Sequence, residues 1–309
     1  MNRRHFLGTM AMALSSGAAG AASSGGSQQP HEMAKRKLPS ATNNESVPVI
    51  GMGTWNTFDV GGGASERAPL LKVLEVFYAA GARLIDSSPM YANAEGVTGD
   101  LVQQLGKQAS TFYATKVWTS GRDKGMAQIE HSMRAMKTPR LDLLQIHNLL
   151  DWRTHAETLR QLKSDGKIRY SGVTHYTVGA HSEIEAVLRA ERFDFAQFNY
   201  SIGTRAAEQR LLPYCQDHGI GVLINRPFEE GGLFTRVGNR KLPGYAKEIG
   251  CTSWAQVFLK YIVSHPAVTC VIPATSRAEH MQDNLQAGFG PMPDAAMRER
   301  MAKDFDASR

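Results

Sequence analysis

Cysteine is scarce, with Cys215, Cys251 and Cys270 alone in 309 residues. They form no Cys-x-x-Cys pair and no cluster with histidine, and an odd number builds no disulfide framework. We read all three as buried packing residues and expect no metal site. Long apolar runs are also lacking: none reaches the roughly 20 residues of a membrane-spanning helix, which excludes a helical membrane body. No short-period repeat of the kind that builds solenoids or propellers occurs. No basic face carries interleaved aromatics, so nucleic acid is not an expected partner. Glycine and proline, at 29 and 13 residues, are too few and too aperiodic for a fibrous chain. What is present is a chain 42% hydrophobic and 21% charged, with a formal charge of +6. Those proportions fit a large buried core, at a length that a closed α/β barrel spans as one domain.

The first residues read as an address. Arg3 and Arg4 precede a weakly apolar stretch at 7–14, and Ala19-Gly20-Ala21 follows the small-residue rule for cleavage. We expect a twin-arginine (Tat) signal peptide over 1–21, hence the Tat machinery as a partner of the precursor. The destination would be the periplasm or an equivalent extracytoplasmic space, with no stable membrane insertion after cleavage. Residues 22–46, rich in Ser, Gly, Gln and Asn around Lys35-Arg36-Lys37, read as a flexible solvated linker. The folded domain is expected over 47–309.

From residue 47 onward, eight short β-rich runs end in polar residues and alternate with stretches of helical period: 49–54, 83–87, 111–117, 141–147, 168–174, 193–199, 221–225 and 268–274. Leu70, Leu74 and Phe77 mark the core face of the first helix, and Gly81 can end it. Ser182 with Glu185 and Ser253 with Gln256 have capping-box spacing. Runs such as 141–146 are apolar without clean alternation, as parallel strands covered on both faces should be. Eight βα units predict a (β/α)8 TIM barrel, with an open doubly wound sheet as the weaker alternative.

A barrel of this kind builds its chemistry on the loops after the strands. Asp86, Lys116 and His147 each close an apolar run as an ionisable residue, and Tyr91 follows Asp86 by five positions. Singly, these would pass as a loop cap, a snorkelling lysine, a hydrogen-bonded core histidine and a packing tyrosine. On successive strand ends of one barrel they form a candidate catalytic group.

At this point the sequence resembles the aldo/keto reductase superfamily over about residues 47–290. The likeness rests on Gly51-Met52-Gly53-Thr54, Asp86-Ser87-Ser88-Pro89-Met90-Tyr91, Lys116, His147 and Val271-Ile272-Pro273. The family's Asp, Tyr, Lys and His land on Asp86, Tyr91, Lys116 and His147. The resemblance implies NAD(P)H-dependent hydride transfer to an aldehyde or ketone, with Tyr91 as proton donor. Physically, Lys116 beside the phenol would lower its pKa, Asp86 would hold the ammonium, and a neutral His147 would donate to the substrate oxygen. A barrel that holds the cofactor as a redox sensor with little turnover is the alternative.

The resemblance also implies a cofactor site. Gly53 and Thr54 belong to it, as do Thr174 and His175, where the family has a Ser-Asn pair for the nicotinamide carboxamide, and Gln197, matching a Gln for the same amide. After the seventh run, Arg226, Pro227, Phe228 and Leu233 keep the family's Pro and Gly frame, but Asn225 stands where an aromatic commonly stacks. Ala274, Thr275, Ser276 and Arg277, then His280, Asp283 and Asn284, fall where relatives hold the adenine and its ribose phosphate. Ala274 and His280 replace two common cations, which leaves Arg277 for the 2′-phosphate. NADPH is therefore expected, with NADH as the alternative. Trp55, Met90, Trp118 and Trp152 are expected to wall a pocket for a small carbonyl substrate.

Overall fold

The computed structural model describes residues 32–307. The export signal and its cleavage position therefore lie outside the described residues. Two short strands come first, β1 (Lys35–Lys37) and β2 (Ser46–Pro48), paired antiparallel with Arg36 opposite Val47. Then strands and helices alternate: β3 (Met52–Gly53), α1 (Ala64–Ala79), β4 (Leu84–Asp86), α2 (Ala94–Gln104), β5 (Phe112–Val117), α3 (Arg122–Ala135), β6 (Leu141–His147) and α4 (Trp152–Ser164). The second half holds β7 (Ile168–Thr174), α5 (His181–Ala190), β8 (Phe195–Asn199), α6 (Leu211–Asp217), β9 (Gly221–Asn225), α7 (Gly232–Val237), α8 (Tyr245–Glu248), α9 (Trp254–Val263), β10 (Cys270–Val271), α10 (Ala278–Gln286) and α11 (Ala295–Asp306).

Strands β3 to β10 lie in sequence order in one parallel sheet of eight. Bridges from Ile50 to Val271 and from Gly53 to Ala274 join its two edges, with Gly51 N donating to Val271 O at 2.8 Å. The sheet is thus closed, and the fold is the expected (β/α)8 barrel rather than the open alternative. Successive side chains on a strand point to opposite sides. Leu84, Phe112, Leu143, Tyr170, Phe195 and Leu223 therefore form one buried cluster inside the barrel, while Ile85, Val117, Leu144, Ile146, Val173 and Phe198 pack outward into the larger core. Helix α1 contributes Leu70, Val73, Leu74 and Phe77 to that outer core, and Gly81 ends it at φ +81°.

The structure corrects two expectations here. From Met33 onward the supposed solvated linker is ordered: β1 and β2 form a hairpin, and Leu38 and Val47 are buried in the cluster that fills the barrel interior. Its loop is anchored by Glu45, which takes Arg83 at 3.0 Å and also pairs with Arg169. A three-residue strand of basic residues is too short to display a pattern in sequence. Ser182 is not a cap: a tight turn over Val178–Ala180 runs straight into α5, so Ser182 lies inside the helix and Ala180 holds the cap position. Ser253 does cap α9, its hydroxyl accepting from Gln256 N at 3.1 Å. The three cysteines are free and buried. No helix among the described residues is long and apolar enough to cross a membrane.

Candidate active site

Two positions above the apolar cluster, the strands present a polar layer. Lys116 is wholly buried, and its Nζ donates to Asp86 Oδ2 and to the Ser87 carbonyl, both at 2.6 Å. Asp86 Oδ1 accepts from Gln145 Nε2 and Gln197 Nε2, each at 3.0 Å. An ion pair taken out of water survives only when its remaining hydrogen-bonding capacity is met, and the two glutamines do that for Asp86. Burial opposes the charged ammonium, but Asp86 and Tyr91 outweigh it and hold the Lys116 pKa above its ordinary value.

Tyr91 sits on the loop after β4, with Lys116 Nζ 5.1 Å from its ring centroid. Burial pushes its pKa up, Asp86 adds to this, and Lys116 opposes it by charge and hydrogen bond. The lysine thus acts in the expected sense, yet the net direction is upward, because burial of the phenol is the larger effect. His147 meets the Tyr91 ring edge-on, with centroids 6.0 Å apart. Burial, then Lys116 and His175, drive its pKa down to about 2, so the ring is neutral. Its Nδ1 lies 3.0 Å from Ser88 Oγ. That hydroxyl accepts from Met90 N at 3.4 Å and can give its own proton to Nδ1, which leaves Nε2 as the protonated nitrogen.

Above this layer opens a cleft of about 1140 Å³. Asp86, Tyr91 and His147 line it, and Lys116 stands behind them. Gly53 and Thr54 at the end of β3 form one stretch of wall, and Thr174, His175 and Gln197 line the cleft from the ends of β7 and β8. Arg226, Pro227 and Phe228 form another, and Ala274, Thr275, His280, Asp283 and Asn284 a third. Trp55, Met90 and Trp118 are partly exposed at the mouth.

Four expected site residues are placed elsewhere. Trp152 packs against the outer core with Arg153 over its ring, because it opens α4 instead of ending the loop above it. Leu233 is buried in that core. Ser276 and Arg277 stand outside the cleft lining, and the exposed Arg277 faces Glu279 at 3.7 Å. Conversely, Asn148, Tyr176, Asn225, Glu230 and Trp254 line the cleft without having been singled out as site residues. The available signals were position alone: Asn148 follows His147, Asn225 ends β9, and Trp254 follows the cap Ser253.

Backbone strain gathers on the same loops. Asn148, Leu149 and Asp151 after β6, and Arg226, Glu229 and Glu230 after β9, all hold φ between +48° and +56°. Such left-handed residues are costly outside glycine and mark places where geometry is imposed. An ion pair of 3.2 Å from Arg226 to Glu230 and bonds from Ser201 and Thr204 to Glu229 Oε1 fix the second loop.

Comparison with known proteins agrees with this geometry. The sequence profile of the aldo/keto reductase family matches residues 49–303. Methylglyoxal reductase YeaE of Escherichia coli (strain K12) is 30% identical over 260 residues, covering 81% of this chain and 88% of that protein. The NADH-specific methylglyoxal reductase of the same strain is 29% identical, covering 69% of this chain and 73% of its own length. The crystal structure of an aldo-keto reductase from Klebsiella pneumoniae in complex with NADPH superposes with a TM-score of 0.74 at 25% identity, over 88% of this chain and 96% of that one. With its closed barrel and strand-end constellation, this chain belongs to the aldo/keto reductase family.

Proposed function

We propose that this chain is an NAD(P)H-dependent carbonyl reductase with Tyr91 as proton donor. The observation that carries the reading is the Asp86, Lys116, Tyr91 and His147 group gathered at the base of one cleft. The cleft suits a dinucleotide: its volume of about 1140 Å³ exceeds the roughly 1,000 Å³ that bounds most small-ligand sites, and Asn225, which lines it, carries a buried acceptor, Oδ1, with no partner. NADPH is the cofactor, with NADH as the alternative. When bound, the nicotinamide supplies a hydride to the carbonyl carbon. Tyr91 gives the phenol proton to the carbonyl oxygen, and the Lys116 ammonium, held by Asp86, stabilises the phenolate left behind. Neutral His147 donates from Nε2 to the same oxygen and orients it where charge develops. Trp55, Trp118 and Met90 offer apolar surface at the mouth against which a carbonyl substrate would pack. Among carbonyl compounds, 2-oxoaldehydes are the class to try first, since two of the relatives are named for methylglyoxal.

The test is cofactor oxidation by purified protein over a panel of aldehydes, ketones and 2-oxoaldehydes. Turnover is expected with both aldehydes and 2-oxoaldehydes. Binding of NADP(H) without turnover on any of them favours a sensor instead. We further propose that Arg3 and Arg4 direct export by the twin-arginine route, which carries folded proteins, so the barrel crosses with its dinucleotide bound. Cells expressing the wild type and an Arg3→Lys, Arg4→Lys variant are to be fractionated; an unprocessed wild type retained in the cytoplasm overturns export.

A further inference from the structure

Ser88 lies on the loop after β4, wholly buried and set back from the cleft lining. It is bonded in three directions. Its carbonyl oxygen accepts from Tyr91 N at 3.0 Å, its hydroxyl accepts from Met90 N at 3.4 Å, and the same hydroxyl lies 3.0 Å from His147 Nδ1. The turn that carries the phenol and the imidazole at the end of β6 therefore meet on one residue.

The hydroxyl has one proton to give. Met90 N is itself a donor, so His147 Nδ1 is the acceptor within its reach among the described residues. The opposite tautomer, with the ring proton on Nδ1, would leave the hydroxyl proton shut away from water without an acceptor, which is costly. The rings on either side do not settle the orientation. Tyr91 meets His147 edge-on with centroids 6.0 Å apart and Trp118 is tilted to it at 6.3 Å, and both contacts suit the imidazole either way up. Turned over, the ring would set a carbon against the hydroxyl and cost Ser88 that acceptor. Nε2 has no partner among the described residues, and His147 lines the cleft.

We infer that Ser88 is a positioning residue whose hydroxyl fixes both the tautomer and the orientation of the His147 ring, and whose backbone ties that ring to the turn carrying Tyr91. Nε2–H is then the group that His147 has to offer a carbonyl oxygen, already set before substrate arrives. Ser88 acts through its neighbours and stands outside the lining that substrate and dinucleotide would touch. The acid and the second donor stay in register because one residue bonds to both sides. This rests on the carbonyl-reductase reading given above.

The ring is read by NMR of protein labelled with ¹⁵N-histidine, the His147 resonances being assigned by their absence in His147→Gln. In the wild type at neutral pH, Nε2 should carry the proton and Nδ1 should resonate as a bare nitrogen that accepts a hydrogen bond. Ser88→Ala should move Nδ1 toward the frequency of an unbonded ring nitrogen. It should also lower the single-turnover rate of aldehyde reduction by about tenfold while the dissociation constant for NADPH stays unchanged. Ser88→Cys, close in size but a weaker donor, should fall between the two. A proton on Nδ1 in the wild type overturns the assignment, as does a Ser88→Ala variant whose Nδ1 resonance or rate stays at the wild-type value. A Ser88→Cys variant slower than Ser88→Ala, or NADPH affinity lost in step with the rate, overturns it too, because packing rather than the hydroxyl would then be at fault. If the wild type reduces none of the carbonyl panel, the reductase reading falls by itself, and the Nδ1 resonances of the wild type and Ser88→Ala decide the assignment.

Discussion

Tyr91 and His147 are held in protonation states that suit opposite tasks. Burial raises the Tyr91 pKa above its ordinary value of 10, against the pull of Lys116, so the phenol keeps its proton through neutrality. Replacing Tyr91 with Phe removes that proton at little change in volume, so carbonyl reduction should fall by roughly 10²-fold or more while dinucleotide binding persists. Steady-state kinetics beside a binding titration check this. The pH profile follows from the same directions. The donor works when protonated, so activity is lost as pH rises through the Tyr91 pKa, and the basic limb of kcat/KM for reduction should lie above pH 10. His147, at about 2, should add no limb near 6.5. An inflection at neutral pH that disappears in His147→Gln would contradict this. At this scale the catalytic four were legible because each strand-end member interrupts an apolar run with charge. Tyr176, Glu230 and Trp254 were not, since the loop after β7, the left-handed backbone of the loop after β9 and the start of α9 carry them into the cleft in turn, and no spacing encodes that. Trp152 misled for the converse reason: an aromatic near a strand end can equally open the next helix and pack downward.

Helix starts and inserted carboxyls decide what the elements contribute. Ser253 caps α9 and also donates to Asp283 Oδ2 at 2.7 Å, so one hydroxyl serves both the helix start and a residue of the cleft wall. Ser253→Ala should lower stability by about 1 kcal/mol in urea unfolding. Ser182→Ala, a substitution inside α5, should change it by less than half as much. Both serines carry the same spacing signal; a preceding turn already in helical conformation separates them, and that is a property of the chain's path. Glu95 on α2 is a buried carboxyl that accepts from Thr115 and Ser132 hydroxyls between α2, β5 and α3. Burial raises its pKa above 4.5 against those bonds and the charge of Lys116. A raised folded-state value means its favourable contribution is complete below pH 4.5 and is lost as pH climbs through the folded pKa. Glu95→Gln, which keeps the shape and stays neutral, should therefore gain stability relative to the wild type between pH 4 and pH 8. Thermal unfolding at the two ends of that range tests the sign. The hairpin of β1 and β2 is the element sequence reading missed, because Leu38 and Val47 are its only strongly apolar contacts with the interior and they flank a polar loop.

For the molecule as a whole, the count of eight apolar runs made the barrel legible, since a parallel strand buried on both faces is nearly continuous in hydrophobic character. Closure was not legible: it depends on backbone bonds from Val49 and Gly51 to Val271, which any side chains could accompany. The burial of the cysteines reaches further than packing. Burial holds the Cys215 thiol at about 12 and the Cys251 thiol at about 11, and pushes Cys270, inside the barrel, higher still. With so little thiolate and no access, the folded protein should be silent toward disulfide reagents and mild oxidants. The three sulfhydryls then serve as internal stopwatches. Each starts only when its own neighbourhood opens: α6 for Cys215, the turn before α9 for Cys251, and the strand that closes the barrel for Cys270. Pulsed alkylation in rising urea, read by peptide mass, should find all three unmodified in the native state. One common labelling rate would mean that the barrel comes apart as a unit, whereas Cys251 running ahead of Cys270 would mean that it unzips from the α9 side while the ring of strands still holds.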